Sequence, residues 1–173
     1  MRNIVTGGAG LIGSHLIDKL ISAKEEVICI DNFMTGNLKN IKRHLANPNF
    51  KLIEHDVSHE LPNITAERIW HMACPASPFK YQLNPIETAK TCFIGTYNTL
   101  ELALKTKSRF LFASSSEIYG NPKVHPQSED YEGSVNTSSL RACYNEGKRV
   151  AETLCFDFNR TYNLDIRIAR IFN

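Results

Sequence analysis

The sequence predicts a doubly wound α/β domain, a parallel sheet covered by helices on both faces, over residues 1–173. Three observations predict it. Six short apolar runs alternate with helical patterns along the chain. The runs are nearly continuously apolar, as strands buried on both faces are. A glycine-rich turn, "TGGAGLIG" at 6–13, joins the first run directly to the first helical stripe.

The first run is "RNIVT" (2–6), and Leu11, Ile12, Leu16, Ile17, Leu20 and Ile21 then recur at the period of a helix. Strand runs follow at "EVICI" (26–30), "FKLIEHD" (50–56) and "RIWHMA" (68–73). A long helix is expected over about 86–106, then a strand at "RFLFAS" (109–114). The proline-bearing stretch 120–139 reads as a long irregular loop, a kind that is usually functional or mobile. A second long helix, over about 139–161, precedes the last run, "LDIRIARIF" (164–172). No internal repeat or low-complexity segment interrupts the alternation.

A chain of 173 residues is long enough for one domain with a substantial core. Its 42% hydrophobic and 22% charged content is ordinary for a globular protein. Net charge is +2 and the basic residues are spread out, so there is no electrostatic footprint for nucleic acid or an anionic membrane. Five cysteines, far apart and without a C-x-x-C pair, fit reduced thiols better than a disulfide framework. The same spacing argues against zinc. The six histidines show no metal-ligand spacing, so no metal is expected; each histidine is expected at the surface or locally bonded, and Trp70 in the core. From the strand-like start no signal peptide is expected, and no apolar stretch approaches the roughly 18 residues of a membrane span. A cytoplasmic protein is expected.

Gly7, Gly10 and Gly13 in that turn allow a tight bend, close approach of a pyrophosphate to the backbone and close helix–strand packing. The helix N-terminus beyond them offers free N–H groups and a positive dipole end. This is the pattern of a Rossmann dinucleotide site. Asp31, at the end of the second run, is placed to accept hydrogen bonds from ribose hydroxyls, and its charge with no arginine after it favours NAD over NADP. Asp56 ends the third run, where it could meet an adenine amino group or be a solvated strand-end acid. Tyr144 and Lys148 are four apart in "RACYNEGKRVAET", so they share one face of the second long helix.

The T-G-x-x-G-x-x-G loop, the strand-end Asp31 and the Y-x-x-x-K spacing resemble the extended short-chain dehydrogenase/reductase family, whose members act mainly on nucleotide sugars. Within it, "DNFMTGN", "HMACPASP", "SSSEIYG", "VHPQSEDY", "RACYNEGKRVAETL" and "RIARIFN" are most similar to the UDP-glucuronate decarboxylases, also called UDP-xylose synthases. The similarity runs from end to end of the chain. It implies that Tyr144 is the catalytic base, tuned by Lys148, with Ser115 sharing the hydrogen bond to the sugar's 4-hydroxyl oxygen. An isolated phenol titrates near 10, so a neighbouring ammonium and a positive nicotinamide are expected to favour the phenolate. Oxidation at carbon 4 then makes the carbon 6 carboxylate β to a ketone, and carbon dioxide can leave. Glu117 would position a water or supply the proton at carbon 5, or else serve as a strand-end acid bonded to backbone. The related 4,6-dehydratases carry an aspartate where this chain has Ser116, which cannot act as their acid.

The resemblance further implies Leu11 and Ile12 at the pyrophosphate, Asn32, Met34, Thr35 and Gly36 around the adenosine, and Val57, Ala73 and Thr91 lining the cofactor. Leu61, Pro62, Lys90 and Asn98 would lie toward the UDP-sugar substrate. A homodimer through the two long helices is implied as well. Two departures stand out: "VNTSSLRACYNEGKR" lacks the proline and glycine that relatives place before Arg-Ala-Cys, and Asn145 replaces their aspartate. Relatives also continue beyond the position of Asn173 into a smaller substrate domain, so the expectation is a cofactor half lacking that domain. Two readings follow: a decarboxylase, with a 4,6-dehydratase or 4-epimerase as the neighbouring enzyme alternative, or an NAD-binding module without catalysis of its own.

Overall fold

The computed structural model describes residues 1–172. Six strands, β1 (Arg2–Thr6), β2 (Glu26–Asp31), β3 (Phe50–Glu54), β4 (Arg68–His71), β5 (Arg109–Ser115) and β6 (Ile166–Ile171), form one sheet. Every pairing is parallel and the order is β3-β2-β1-β4-β5-β6. The doubly wound α/β reading is therefore correct. The chain leaves β1 toward one edge and returns past it to β4, so a crevice opens beyond the carboxyl ends of β1 and β4, where the winding reverses.

Strand geometry sends successive side chains to opposite faces, and β1 shows the result. Ile4 joins a core cluster with Ile69, Phe110, Phe112, Leu100, Ala151, Cys155 and Phe158. Val5 joins the other, with Ile17, Leu20, Val27, Cys29 and Phe50. The first face is covered by α4 (Thr96–Thr106) and α5 (Ala142–Tyr162), the second by α1 (Leu11–Ser22). Lys107 and Asn163 take left-handed φ values of 54° and 55° and end α4 and α5, a common helix stop.

Four boundaries differ from the sequence reading. β3 ends at Glu54, so Asp56 lies two residues past the strand rather than on it. The connection from β2 to β3 holds two short 3-10 turns, Leu38–Asn40 and Lys42–His44, in place of an α-helix, and no helix lies between β3 and β4. The helix expected over about 86–106 is preceded by α2 (Pro78–Leu83) and divided into α3 (Pro85–Lys90), a wide π turn (Thr91–Gly95) and α4. Pro85 opens α3 because a proline lacks the N–H that a continuing helix would need. At the π turn, a side chain on Gly95 would lie 2.6 Å from Val57 Cγ2, so only glycine admits this approach of the 55–58 loop. Finally, α5 starts at Ala142, after a longer irregular stretch than expected. The 120–139 loop is irregular, pinned by one bridge between Gly120 and Ser134.

Candidate functional site

The crevice at the strand ends is a cleft of about 500 Å³. Gly7 and Gly10 line it from the β1–α1 turn, Asp31 and residues 32, 34, 35 and 36 from the end of β2, Val57 from the loop after β3, Ala73 from the end of β4, and Thr91 from the π turn. Sequence reasoning missed Ile30, His55, Met72, Cys74 and Pro75 on its walls. The signal available for them was position alone, since all five end a strand or follow one.

The turn is built for close approach. Gly7 has φ +67°, and a side chain there would stand 2.7 Å from the backbone nitrogen of Ala73. Gly13 packs within α1 against the turn, while Leu11 and Ile12 form the exposed first turn of α1. Gly10 caps α1 without any side-chain hydrogen bond, and no acid occupies the first turn, so the helix start remains free to meet an anion. Asp31 is buried; its Oδ2 accepts from Ala9 N and its Oδ1 from Phe33 N, each at 2.8 Å. Burial pushes its carboxyl up, and those two amides act in the opposite sense.

Asp56, two residues past β3, is bonded to its own loop and to Asn32. Its carboxylate accepts from Asn32 Nδ2 at 2.8 Å and from Ser58 N and Oγ at 2.8 and 2.7 Å. Burial would raise its pKa, but those donors more than offset it and hold it below the usual range. It thus fixes Asn32, which faces the cleft.

Tyr144 and Lys148 lie on the buried side of α5, one turn apart. Lys148 Nζ donates to Ala113 O of β5 at 2.7 Å, and it sits 4.7 Å from the centre of the Phe112 ring. Burial pulls its pKa down, yet the Cys74 and Cys92 thiols and the Tyr144 phenol hold it up. For Tyr144 the balance runs against the simple expectation of a depressed pKa. Burial pushes its phenol up and outweighs the lowering by Lys148 and by the Ser115 hydroxyl. A further positive charge beside the phenol would act in the same sense as Lys148 and lower its pKa.

Ser115 ends β5 and accepts from Glu117 N at 3.3 Å; Ser116 and Glu117 lie in the 3-10 turn that follows. Glu117 Oε1 is paired with Arg141 Nη2, and Arg141 Nε donates to Tyr81 Oη at 3.0 Å. The Asn145 amide, oriented to satisfy its neighbours, donates to Glu117 Oε2 and Arg141 O, each at 3.1 Å. An aspartate there would set a second carboxylate against Glu117, where Asn145 instead offers a donor. Tyr81 and Arg141 were not anticipated.

The four residues expected toward a sugar nucleotide do not line the cleft. Lys90 pairs with Glu87 at 3.1 Å on the surface, and Asn98 Nδ2 holds the loop carbonyls of Val57 and His59 at 2.9 and 3.0 Å. Leu61 and Pro62 are half-buried, Leu61 against the core. His71 takes the locally bonded alternative: it is enclosed beneath the site, between Thr6 Oγ1 at 2.8 Å and Thr96 Oγ1 at 3.1 Å. Trp70 is half-buried and donates from Nε1 to Asn3 Oδ1 at 3.0 Å. Among the described residues, no group of histidine, cysteine and carboxylate side chains is arranged to hold a metal.

The chain is 55% identical over 174 aligned residues to UDP-glucuronic acid decarboxylase 6 of Arabidopsis thaliana, covering 100% of this chain and 50% of that protein. The chain spans about half the length of the curated relatives it matches. Among solved structures, UDP-glucose 4-epimerase of Thermotoga maritima, with UDP-glucose, superposes with a TM-score of 0.83 at 32% identity, over 98% of this chain and 55% of that one. The dTDP-glucose 4,6-dehydratase DesIV of Streptomyces venezuelae, with NAD bound, gives 0.84 at 27% identity, over 98% and 55%. A family profile described as GDP-mannose 4,6 dehydratase matches residues 4–173, nearly the whole sequence, and the chain belongs to that family.

Proposed function

We propose that this chain is the cofactor-binding and proton-handling half of an NAD-dependent UDP-glucuronate decarboxylase, a lyase that forms UDP-xylose. The observation that carries the reading is the adjacency of two features. A cleft of dinucleotide type opens at the strand ends, and the turn of α5 between Tyr144 and Lys148 packs at Gly147 against Cys92, whose sulfur lies 2.8 Å from that of the cleft-lining Cys74. The resemblance of the whole chain to UDP-glucuronic acid decarboxylases supplies the substrate.

The cleft fits NAD. The Gly7 approach, the uncapped start of α1 and the buried Asp31 suit a pyrophosphate and a ribose diol, with Asn32, Met34, Thr35, Gly36 and Asp56 on the adenosine side and Val57, Ala73 and Thr91 along the cofactor. Bound there, NAD would supply reversible hydride acceptance from carbon 4 of the sugar. Tyr144 takes the 4-hydroxyl proton as its phenolate and Ser115 shares that oxygen. Lys148 stabilises the phenolate by charge and is held in place by Ala113 O. The proton at carbon 5 after loss of carbon dioxide falls to Glu117 or to a water it positions. Arg141 and Asn145 fix that carboxylate by an ion pair and an amide donor, a contact pattern that suits the positioning role. Leu61, Pro62, Lys90 and Asn98 remain candidates for the sugar-nucleotide side, reached only if Lys90 leaves Glu87.

The proposed assembly is a homodimer through α4 and α5. Phe93, Tyr97, Phe156 and Tyr162 stand exposed on or beside these helices, the apolar surface such a pairing would cover. Among the described residues no helix is long and apolar enough to cross a membrane, and the five free thiols suit a reducing compartment; the proposal places the protein in the cytoplasm.

Incubation with UDP-glucuronate and NAD tests the reading, with carbon dioxide and the nucleotide-sugar product measured. UDP-xylose that disappears in Tyr144→Phe supports it. A 4-keto-6-deoxy product would instead point to the dehydratases, which the epimerase and dehydratase fold neighbours keep as the second reading. Stability raised by about 2.7 kcal/mol at 100 times the NAD dissociation constant, with no product, would leave an NAD-binding module.

A further inference from the structure

Five cysteines scattered through the sequence give no sign of pairing, yet folding brings two of them together beside the site. Cys74, in the segment after β4, lines the cleft and is half-buried; Cys92, in the π turn, is buried. Their sulfurs are 2.8 Å apart, inside the van der Waals separation of two sulfur atoms. We propose that Cys74 and Cys92 are a reversible dithiol–disulfide pair whose oxidation by a peroxide weakens dinucleotide binding in the adjoining cleft. The second half of this proposal rests on the cofactor reading above; the first does not.

Geometry gives each sulfur a distinct part. Cys74 borders the open cleft, so an oxidant as small as hydrogen peroxide reaches it first. Cys92 is closed in by α5, where a side chain on Gly147 would meet its Cβ at 2.8 Å. Hydrogen bonding with Cys92 and the nearby Lys148 charge favour the Cys74 thiolate, the nucleophilic form, against the opposing effect of burial. The Cys74 thiolate attacks the peroxide, forming an S–O bond as the O–O bond breaks, and the departing hydroxide takes a proton to leave as water. The Cys92 sulfur then attacks the sulfenic sulfur of Cys74; the S–S bond forms, the S–O bond breaks, and a second water departs. Two thiols are oxidised by two electrons in all, and the peroxide is reduced to two waters.

The bond has a route to the cleft at each end. Drawing the sulfurs from 2.8 Å to a covalent separation of about 2.0 Å shifts the 72–75 segment or the π turn. Neither has slack. The Ala73 backbone lies against the space above Gly7, and Thr91, next to Cys92, forms part of the same cleft wall. Oxidation also removes two titratable thiols from the surroundings of Lys148 and Tyr144.

The test treats the reduced chain with stoichiometric hydrogen peroxide, titrates thiols after denaturation, maps peptides without reductant, and measures NAD affinity before and after. The expected result is loss of two of the five thiols, a crosslink between the peptides holding Cys74 and Cys92, and NAD binding about tenfold weaker, restored by dithiothreitol. Cys92→Ala should leave a sulfenic acid at Cys74 that dimedone captures. Five thiols surviving, or a crosslink that joins Cys74 to Cys143 instead, would overturn the pair. A correct crosslink with unchanged NAD affinity would overturn its control of the cleft. Absence of NAD binding by the reduced chain would overturn the cofactor reading and the control together, while the peptide map would still decide the bond.

Discussion

The rings of Tyr81 and Tyr144 are stacked, with centroids 4.9 Å apart and planes within 3° of parallel. Through this stack the face of the proposed base is covered by α2, and the Tyr81 hydroxyl continues to Arg141 and from there to Glu117. One element thus places both the base and the carboxylate. Tyr81→Ala should lower stability by about 3–5 kcal/mol, the usual cost of truncating a buried aromatic. It should also let water reach Tyr144 and bring its phenol back toward the ordinary value, because burial is the main cause of the upward shift. Tyr81→Phe keeps the ring and should cost only about 1 kcal/mol, from the unpaired Arg141 Nε. Urea unfolding and ultraviolet titration of tyrosinate would read both effects; equal losses for the two variants would show that the stack does not set the environment.

His71 provides a pH dependence with a definite sign. Thr6 on β1, Thr96 on α4, the Phe110 and Phe112 rings on β5 and Lys148 on α5 surround it. Burial, with Lys148 adding to it, pushes the imidazole from 6.5 down to about 3. Below about pH 6.5 the unfolded chain therefore binds a proton that the folded chain refuses, and stability falls as pH drops from there toward about 3. The slope should approach about 1.4 kcal/mol per pH unit between pH 6 and 4. In His71→Gln this contribution to the slope should vanish. Parallel curves for the two proteins would mean that His71 is charged in the fold.

What the sequence revealed and what it hid divide along physical lines. The Gly7 turn, Asp31 and the Tyr144–Lys148 spacing were legible because each rests on a few consecutive residues or one helical turn. The strand runs were legible because burial on both faces leaves a continuous apolar signature. The π turn was not legible, since it depends on Val57 approaching Gly95 from another loop. Tyr81 on Tyr144, Arg141 on Glu117, His71 beneath the cleft and Cys74 against Cys92 all join segments distant in sequence, and spacing carries no record of them. Asp56 was misplaced for a related reason: an apolar run does not mark where its last ladder hydrogen bond falls.

Glu152 and Arg170 form another such contact, joining α5 to β6 at 2.9 Å with both side chains largely enclosed. Ser114 Oγ also donates to Glu152, and Arg170 Nη1 reaches Tyr119 Oη at 2.7 Å and Glu129 O at 2.6 Å. The pair ties the 120–139 loop and the edge strand to the helix that carries Tyr144. Glu152→Gln leaves the guanidinium without its anion and should cost about 3–5 kcal/mol, whereas the double variant with Arg170→Met should recover much of that loss. Chemical denaturation of the two proteins would measure it. A single-variant loss below about 1 kcal/mol would class the pair with exposed ion pairs of little consequence.

Gly7→Ala separates the shape of the turn from the rest of the cleft. At φ +67° an alanine adopts an unfavourable backbone conformation, by about 1–2 kcal/mol. Its Cβ would also stand 2.7 Å from Ala73 N and 2.8 Å from Met72 C, and these are backbone atoms of a paired region that cannot swing aside as a side chain can. Relief requires either the 72–75 segment to retreat or the turn to open, and each enlarges the gap that a pyrophosphate must bridge. The expected outcome is a chain that still folds, with a modestly lower melting temperature, and whose melt no longer responds to NAD. Gly133→Ala, in the 120–139 loop, with φ +85° and the Tyr119 backbone comparably close at 2.7 Å, is the matched control. It should destabilise to a similar degree while keeping the response to NAD. A Gly7→Ala protein that binds NAD as the parent does would show that the dinucleotide does not lie across this turn.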